Sequence, residues 1–120
     1  MQELKEEGLI KQLGLTNFDT AHVKMVVDSG IQVVSNQICF SLLDQRARKD
    51  MQELCKKTGV KILAFGTLAG GFLSNKWLHL PEPNMDQLAT WSQMKYKRFI
   101  DQVGSWEQFQ HLLHLSLIHI

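Results

Sequence analysis

Net charge, cysteine and long apolar runs are all scarce in this sequence, and each scarcity excludes something. Thirteen Lys and Arg stand against twelve Asp and Glu over 120 residues, a formal charge of +1. That balance makes no electrostatic case for nucleic acid or an anionic membrane as partner. Cys39 and Cys55 are the only cysteines. They form neither a disulfide framework nor a spaced metal set, and they read as reduced thiols in a cytoplasmic protein. No apolar run reaches the length of a membrane span, and the first residues carry no secretory signal pattern. Tyrosine occurs once, at Tyr96, and no GxGxxG fingerprint is present. What is there is ordinary: 44% hydrophobic and 21% charged residues, in a length that suits one small domain and is too short for two.

Taken in order, the chain alternates helix and strand. Met1 to Gly8 reads as the end of a helix stopped by glycine. Leu9 to Leu15 alternates apolar and polar residues and predicts a strand. Thr16 to Thr20 is a loop in which either Asp19 or Thr20 can cap the next helix. That helix, Ala21 to Ser29, has an apolar face of Val23, Val26 and Val27 and is stopped by Gly30. Ile31 to Ile38 predicts a second strand. Asp44 is a possible cap for the helix Lys49 to Thr58, which Gly59 ends. Val60 to Phe65, β-branched and apolar, predicts a buried third strand. Glycine closing each helix before the next strand is the βα repeat of a parallel sheet.

The third strand runs into Gly66-Thr67-Leu68-Ala69-Gly70-Gly71-Phe72-Leu73-Ser74-Asn75-Lys76. A strand entering a Gly-rich loop with a basic residue can bring backbone N–H groups close to a phosphate; the same pattern also describes a plain tight turn. Right-handed crossovers put all strand C-termini on one rim, where α/β folds bind ligands. Thr16 and Asn17, Asn36 and Gln37, and Phe65 and Gly66 all fall there. Uncharged amides and hydroxyls suit a neutral polar group such as a carboxamide; as helix caps or loop hydrogen bonds they would need no ligand.

Elsewhere, His111 and His114 share a helix face without a third ligand and read as surface residues, so no metal site is expected. Lys95 to Arg98 reads as solvated helix surface, or as a contact for a phosphate or an acidic partner. Trp77, Trp91 and Trp106 read as packing anchors. His79 to Asn84, with Pro81 and Pro83, predicts a loop.

Three blocks together resemble the aldo-keto reductases: Gly14-Leu15-Thr16-Asn17-Phe18; Ser35-Asn36-Gln37 with Phe40-Ser41-Leu42-Leu43-Asp44; and Ala64-Phe65-Gly66-Thr67-Leu68-Ala69-Gly70-Gly71. They are similar to the blocks after the fifth, sixth and seventh strands of that family's (β/α)8 TIM barrel. The likeness is greatest to members related to potassium-channel β subunits. Lys95 to Ile100 with Ser105 to Phe109 resembles members labelled flagellar radial spoke proteins. The resemblance implies an α/β fold, a partial (β/α)8 barrel of about three parallel strands with intervening helices over residues 1–114.

It also implies a cofactor, NADP(H) with NAD(H) as alternative, and a small-molecule carbonyl substrate for the parent enzyme. On this resemblance Thr16, Asn17 and Gln37 would hydrogen-bond the nicotinamide carboxamide, and Phe65 would stack on the ring. Gly66, Leu68 and Gly71 would line the pyrophosphate with backbone groups. Ser74 and Lys76 would extend that contact, Lys76 by its charge. The family's loop corresponding to His79–Asn84 lies over the cofactor.

The family's catalytic Asp, Tyr, Lys and His lie on earlier strands, and nothing in this chain fills those roles. The eighth strand and its phosphate-selecting loop are likewise missing. The chain is therefore expected to be a fragment that alone binds cofactor poorly and reduces nothing. Two other classes stay open: a nucleotide-binding scaffold or subunit without significant catalysis, and a small βα module without a ligand. Residues 115–120, Leu-Ser-Leu-Ile-His-Ile, break the helical pattern. They resemble the translation of a transposon end used in sequencing libraries, and are expected to be a non-native tail; a genuine short strand from Leu115 is the alternative.

Overall fold

The computed structural model describes residues 1–118. They fall into two compact units, one of residues 1–40 with 45–65, the other of residues 41–44 with 66–120.

In the first unit, a short helix α1 (Gln2–Glu6) precedes three strands, β1 (Gly14–Thr16), β2 (Ser35–Cys39) and β3 (Lys61–Phe65). Helices α2 (Thr20–Asp28) and α3 (Asp50–Thr58) connect them. The sheet is parallel in the order β1-β2-β3, so the α/β class and the three-strand βα repeat are as the sequence implies for part of a (β/α)8 barrel. The helix stops are the expected glycines: Gly8, Gly30 and Gly59 take φ of 75°, 84° and 80°, the left-handed region that other residues enter at a cost.

Helices α2 and α3 cover one face of the sheet. Val23, Ile38, Ala47, Met51, Cys55 and Val60 are buried there, with Leu15, Leu54 and Ile62 packed against them. Burying one such aliphatic side chain contributes about 1.5–3 kcal/mol. The same burial pushes the Cys55 thiol pKa up. On the other face Gln37, Lys61 and Leu63 are exposed, so β3 is half-covered and not the wholly buried strand that its apolar run predicts.

Two strand starts also differ from expectation. The N–H groups of Leu9 and Ile10 both donate to the Leu4 carbonyl, at 2.9 and 3.2 Å. They close the end of α1, so β1 begins only at Gly14 although the alternation starts at Leu9. β2 begins at Ser35, four residues after the expected start.

Asp19 is the cap of α2. Its carboxylate accepts from the His22 N–H at 2.9 Å and lies 2.7 Å from His22 Nδ1. The backbone N–H first, and the imidazole second, hold the Asp19 pKa below its ordinary 3.8. A lowered folded-state pKa means that the stabilisation is present above 3.8 and lost as pH falls through the folded value. Asp19→Ala is therefore expected to melt below wild type at neutral pH, with the gap closing in acid, as thermal denaturation across pH 7 to 3 would record. A gap that is constant with pH would refute the ionised cap. Asp44 does not cap α3, whose N-cap is Lys49 without a side-chain bond. Asp44 and Leu43 instead donate their N–H groups to Ser41 Oγ at 3.0 and 3.1 Å, while the Ser41 N–H returns to the Asp44 carbonyl at 3.0 Å.

The second unit carries three 3-10 turns (Ala69–Gly71, Asn75–Trp77, Met85–Gln87) and two helices, α4 (Trp91–Val103) and α5 (Trp106–Ile118). Its centre is aromatic: Phe72 lies 4.6 Å from Trp77, 6.0 Å from Trp106 and 6.2 Å from Phe109, ring centre to ring centre. Trp77 and Trp106 are thus packing anchors as expected, but Trp91 is 85% exposed and anchors nothing.

The segment before α4 is tied down by side chains. Trp106 Nε1 donates to the Leu80 carbonyl at 2.9 Å, Gln110 Nε2 to the Trp77 carbonyl at 2.8 Å, and the His79 N–H to Gln110 Oε1 at 2.8 Å. Lys97 is buried between Glu82 and Asp101, so the basic run 95–98 is not wholly solvated surface. Helix α5 continues through residues 115–118, because its covered positions Trp106, Phe109 and Leu113 recur at Leu117, one helical face. The predicted break, and the strand alternative, do not occur there; His119 and Ile120 lie outside the described residues. Among the described residues no helix is long and apolar enough to cross a membrane.

Candidate functional site

Register decides which polar residues meet. Thr16 of β1 pairs with Gln37 of β2, and Gln37 with Leu63 of β3; one step further along the same face, Cys39 pairs with Phe65. Thr16, Gln37 and Phe65 thus share the face that α2 and α3 leave open, at the C-terminal end of the strands. At the opposite, N-terminal end of the same face the strands leave little room: a Cβ added at Gly14 would stand 2.8 Å from Ser35 Oγ. Asn17 follows Thr16 directly. Its N–H donates to the Gln37 carbonyl at 2.8 Å, and its φ of 59° is left-handed, a conformation that asparagine tolerates better than most residues. Thr16, Asn17 and Gln37 are all exposed, and Phe65 is half-buried. One hydroxyl, two carboxamides and an aromatic ring are donors, acceptors and a stacking face suited to an aromatic amide. In this chemistry the residues present fit a nicotinamide.

Asn36, grouped with Gln37 by position, is not on that face. Successive strand residues point to opposite sides, and Asn36 is 0% exposed beneath the helices. That alternation was readable from the sequence.

The Gly-rich stretch belongs to the second unit. It closes on itself as a tight turn: the N–H groups of Ala69, Gly71 and Phe72 donate to the carbonyls of Gly66, Leu68 and Ala69 at 2.9, 2.9 and 3.2 Å. Leu73 N–H adds a further bond to Leu68, at 3.1 Å. Gly66 and Gly71 take φ of 68° and 91°. Space is open around the position of a Gly71 Cβ, whereas one at Gly70 would meet Tyr96 at 2.9 Å. Ser74 Oγ donates to the Gly71 carbonyl at 2.7 Å. Lys76 is exposed, with Nζ 6.0 Å from the Trp77 ring centre, and Leu68 is exposed as well. Tyr96 is buried in α4 against Phe99, with ring centres 5.6 Å apart, and not at a strand tip.

One cavity, of about 270 Å³, opens in the first unit between the β1–α2 turn and the start of α3. Asn17, Asp19, Cys39, Arg46 and Met51 are among its lining residues. Nothing in the spacing of Arg46 marks it in the sequence as a lining residue, since the turn that brings it there is non-local.

Over 81 residues the chain is 33% identical to flagellar radial spoke protein 5 of Chlamydomonas reinhardtii, covering 68% of this chain and 15% of that protein. Over 75 residues it is 28% identical to the NADH-specific methylglyoxal reductase of Escherichia coli (strain K12), covering 62% and 22%. Over 91 residues it is 34% identical to an aldo-keto reductase of Babesia bovis, covering 69% and 32%. The chain thus spans between 15% and 32% of the length of these curated relatives. The sequence profile of the aldo/keto reductase family matches residues 1–120, end to end across the strands, the open face and the glycine turn, and the chain belongs to that family.

Proposed function

We propose that this chain is part of an NAD(P)H-dependent reductase converting an aldehyde or ketone to an alcohol. It contributes carboxamide and pyrophosphate contacts, and the Asp, Tyr, Lys and His tetrad belongs to other parts of the protein. Aldo-keto reductases in general use NAD(P)H on small carbonyl compounds. The observation that carries the reading is the pairing of Thr16 with Gln37 and the Asn17 N–H bond to the same residue.

When bound, the reduced nicotinamide supplies the hydride. The chain's part is to fix the ring: Thr16, Asn17 and Gln37 hold its carboxamide, and Phe65 covers one face. Gly66 and Leu68 meet the pyrophosphate through backbone. Gly71 does so by close approach, since its N–H is committed to Leu68. Ser74 and Lys76 extend the contact, Lys76 by its charge; the cofactor is NADP(H), with NAD(H) the alternative. The protein acts on a small-molecule carbonyl in the cytoplasm, without nucleic acid or membrane as partner.

The test is a fluorescence titration of the protein that carries this chain with NADPH and NADH. Losing one carboxamide contact in Gln37→Ala is expected to raise the Kd about three- to tenfold; an unchanged Kd rejects the site. A second reading, a nucleotide-binding scaffold, is favoured by the likeness to a radial spoke protein. It predicts the same binding with no turnover of any carbonyl substrate.

A further inference from the structure

Asn36 stands where packing alone would put an aliphatic side chain. It lies in register between Leu15 and Ile62, both packed against the buried cluster under α2 and α3. A buried carboxamide costs free energy unless its hydrogen bonds are made. Here they are half made. Nδ2 donates to the Phe18 carbonyl at 2.8 Å and lies 3.9 Å from Met51 Sδ, whereas the buried Oδ1 has no hydrogen-bond partner among the described residues. The bond to Phe18 spans 18 positions and ends in the turn after β1.

Adjacent residues of β2 therefore grip adjacent residues of that turn. The Gln37 carbonyl takes the N–H of Asn17, and Asn36 takes the carbonyl of Phe18. The peptide before Asn17 and the peptide after Phe18 are both tied to the strand, with the left-handed Asn17 between them.

We propose that Asn36 is a positioning residue: it holds the Thr16–Phe18 turn so that Asn17 offers its side chain beside Thr16 and Gln37 to the amide of the nicotinamide. Asn36 itself touches no ligand. The inference rests on the carboxamide reading of those three residues.

The experiment uses the whole protein that carries this chain. It compares the Kd of the reduced dinucleotide that wild type binds more tightly with that of the same nucleotide lacking the nicotinamide ring (ADP-ribose or its 2′-phosphate). Asn36→Leu is expected to weaken the dinucleotide about tenfold and leave the ring-less nucleotide unchanged. In the ligand-free protein the Asn17 amide NMR resonance should move. Equal Kd changes for both nucleotides, or none, overturn the proposal. If Asn36→Leu does not fold, the strand-compatible Asn36→Val carries the same comparison. Wild type that binds neither nucleotide overturns the carboxamide reading itself; wild type that binds while the variant is unaffected overturns only the role of Asn36.

Discussion

Phe72→Ala is expected to lower the unfolding free energy of the second unit by about 3–5 kcal/mol, the usual cost of emptying a buried phenylalanine site. Phe72 is fully buried and sits at the centre of Trp77, Trp106 and Phe109. Two of its ring pairs are edge-to-face, with Trp106 at 79° and Phe109 at 88°, a geometry worth about 0.5–1.5 kcal/mol beyond the area buried. The neighbours cannot simply close the gap. Trp106 is bonded through Nε1 to Leu80, and Gln110 holds the backbone carbonyl of Trp77, so one indole and the main chain beneath the other are fixed from outside the cluster. Collapse would break those bonds and leave polar atoms buried. Urea unfolding followed by tryptophan fluorescence measures the loss. Trp91→Ala is the control, since that side chain is exposed, and should stay within about 0.5 kcal/mol of wild type. A Phe72→Ala loss no larger than the control's would mean that the aromatic centre does not hold the unit together.

How much of this was legible in the sequence depended on the range of the interaction. Helix ends were readable because Gly8, Gly30 and Gly59 act locally, through left-handed φ. Strand order and direction followed from the βα repeat, and the meeting of Thr16 with Gln37 from parallel pairing at the strand ends. Strand starts were not readable. Alternation from Leu9 looks the same whether the backbone pairs in a sheet or, as at Leu9 and Ile10, folds back onto Leu4. Position along the strand puts Asn36 on the rim with Gln37; the two-residue alternation turns it to the opposite face. The Asp101 partner of Lys97 was visible at four residues' spacing on a helix. Glu82, fifteen residues away across a loop, left no local pattern, and so Lys95–Arg98 read as solvated surface. The fate of Trp91 and Trp106 shows the same limit: both begin helices, and only tertiary packing separates the exposed one from the buried one.

The Lys97 cluster is asymmetric, and that asymmetry gives the other large effect. The Lys97 side chain is 5% exposed, with Nζ 2.7 Å from Glu82 and 2.5 Å from Asp101, while those two side chains remain 53% and 46% exposed. The ammonium also lies 5.9 Å from the Trp106 ring centre. Burial by itself lowers the Lys97 pKa. The hydrogen bonds and charges of Asp101 and Glu82 outweigh it, so the net shift is upward from 10.5. Replacing the lysine and replacing its partners are therefore different experiments. Lys97→Met keeps the apolar stem and leaves two carboxylates facing water, a change of about 1 kcal/mol or less. The pair Glu82→Gln with Asp101→Asn strands a buried ammonium, which costs about 3–5 kcal/mol. The pH dependence separates them further. In wild type the raised pKa keeps its stabilisation complete below 10.5, and loses it only as pH rises through the folded value. In the double variant desolvation is unopposed and the folded pKa falls below the unfolded one. Its penalty is full at low pH and relieved as pH rises through that lowered value. The gap between wild type and double variant, read from urea midpoints at pH 7 and pH 9.5, is expected to narrow at the higher pH. A double variant as stable as Lys97→Met at pH 7 would show that the ammonium escapes to water, and would remove Lys97 from the list of groups that hold the second unit in shape.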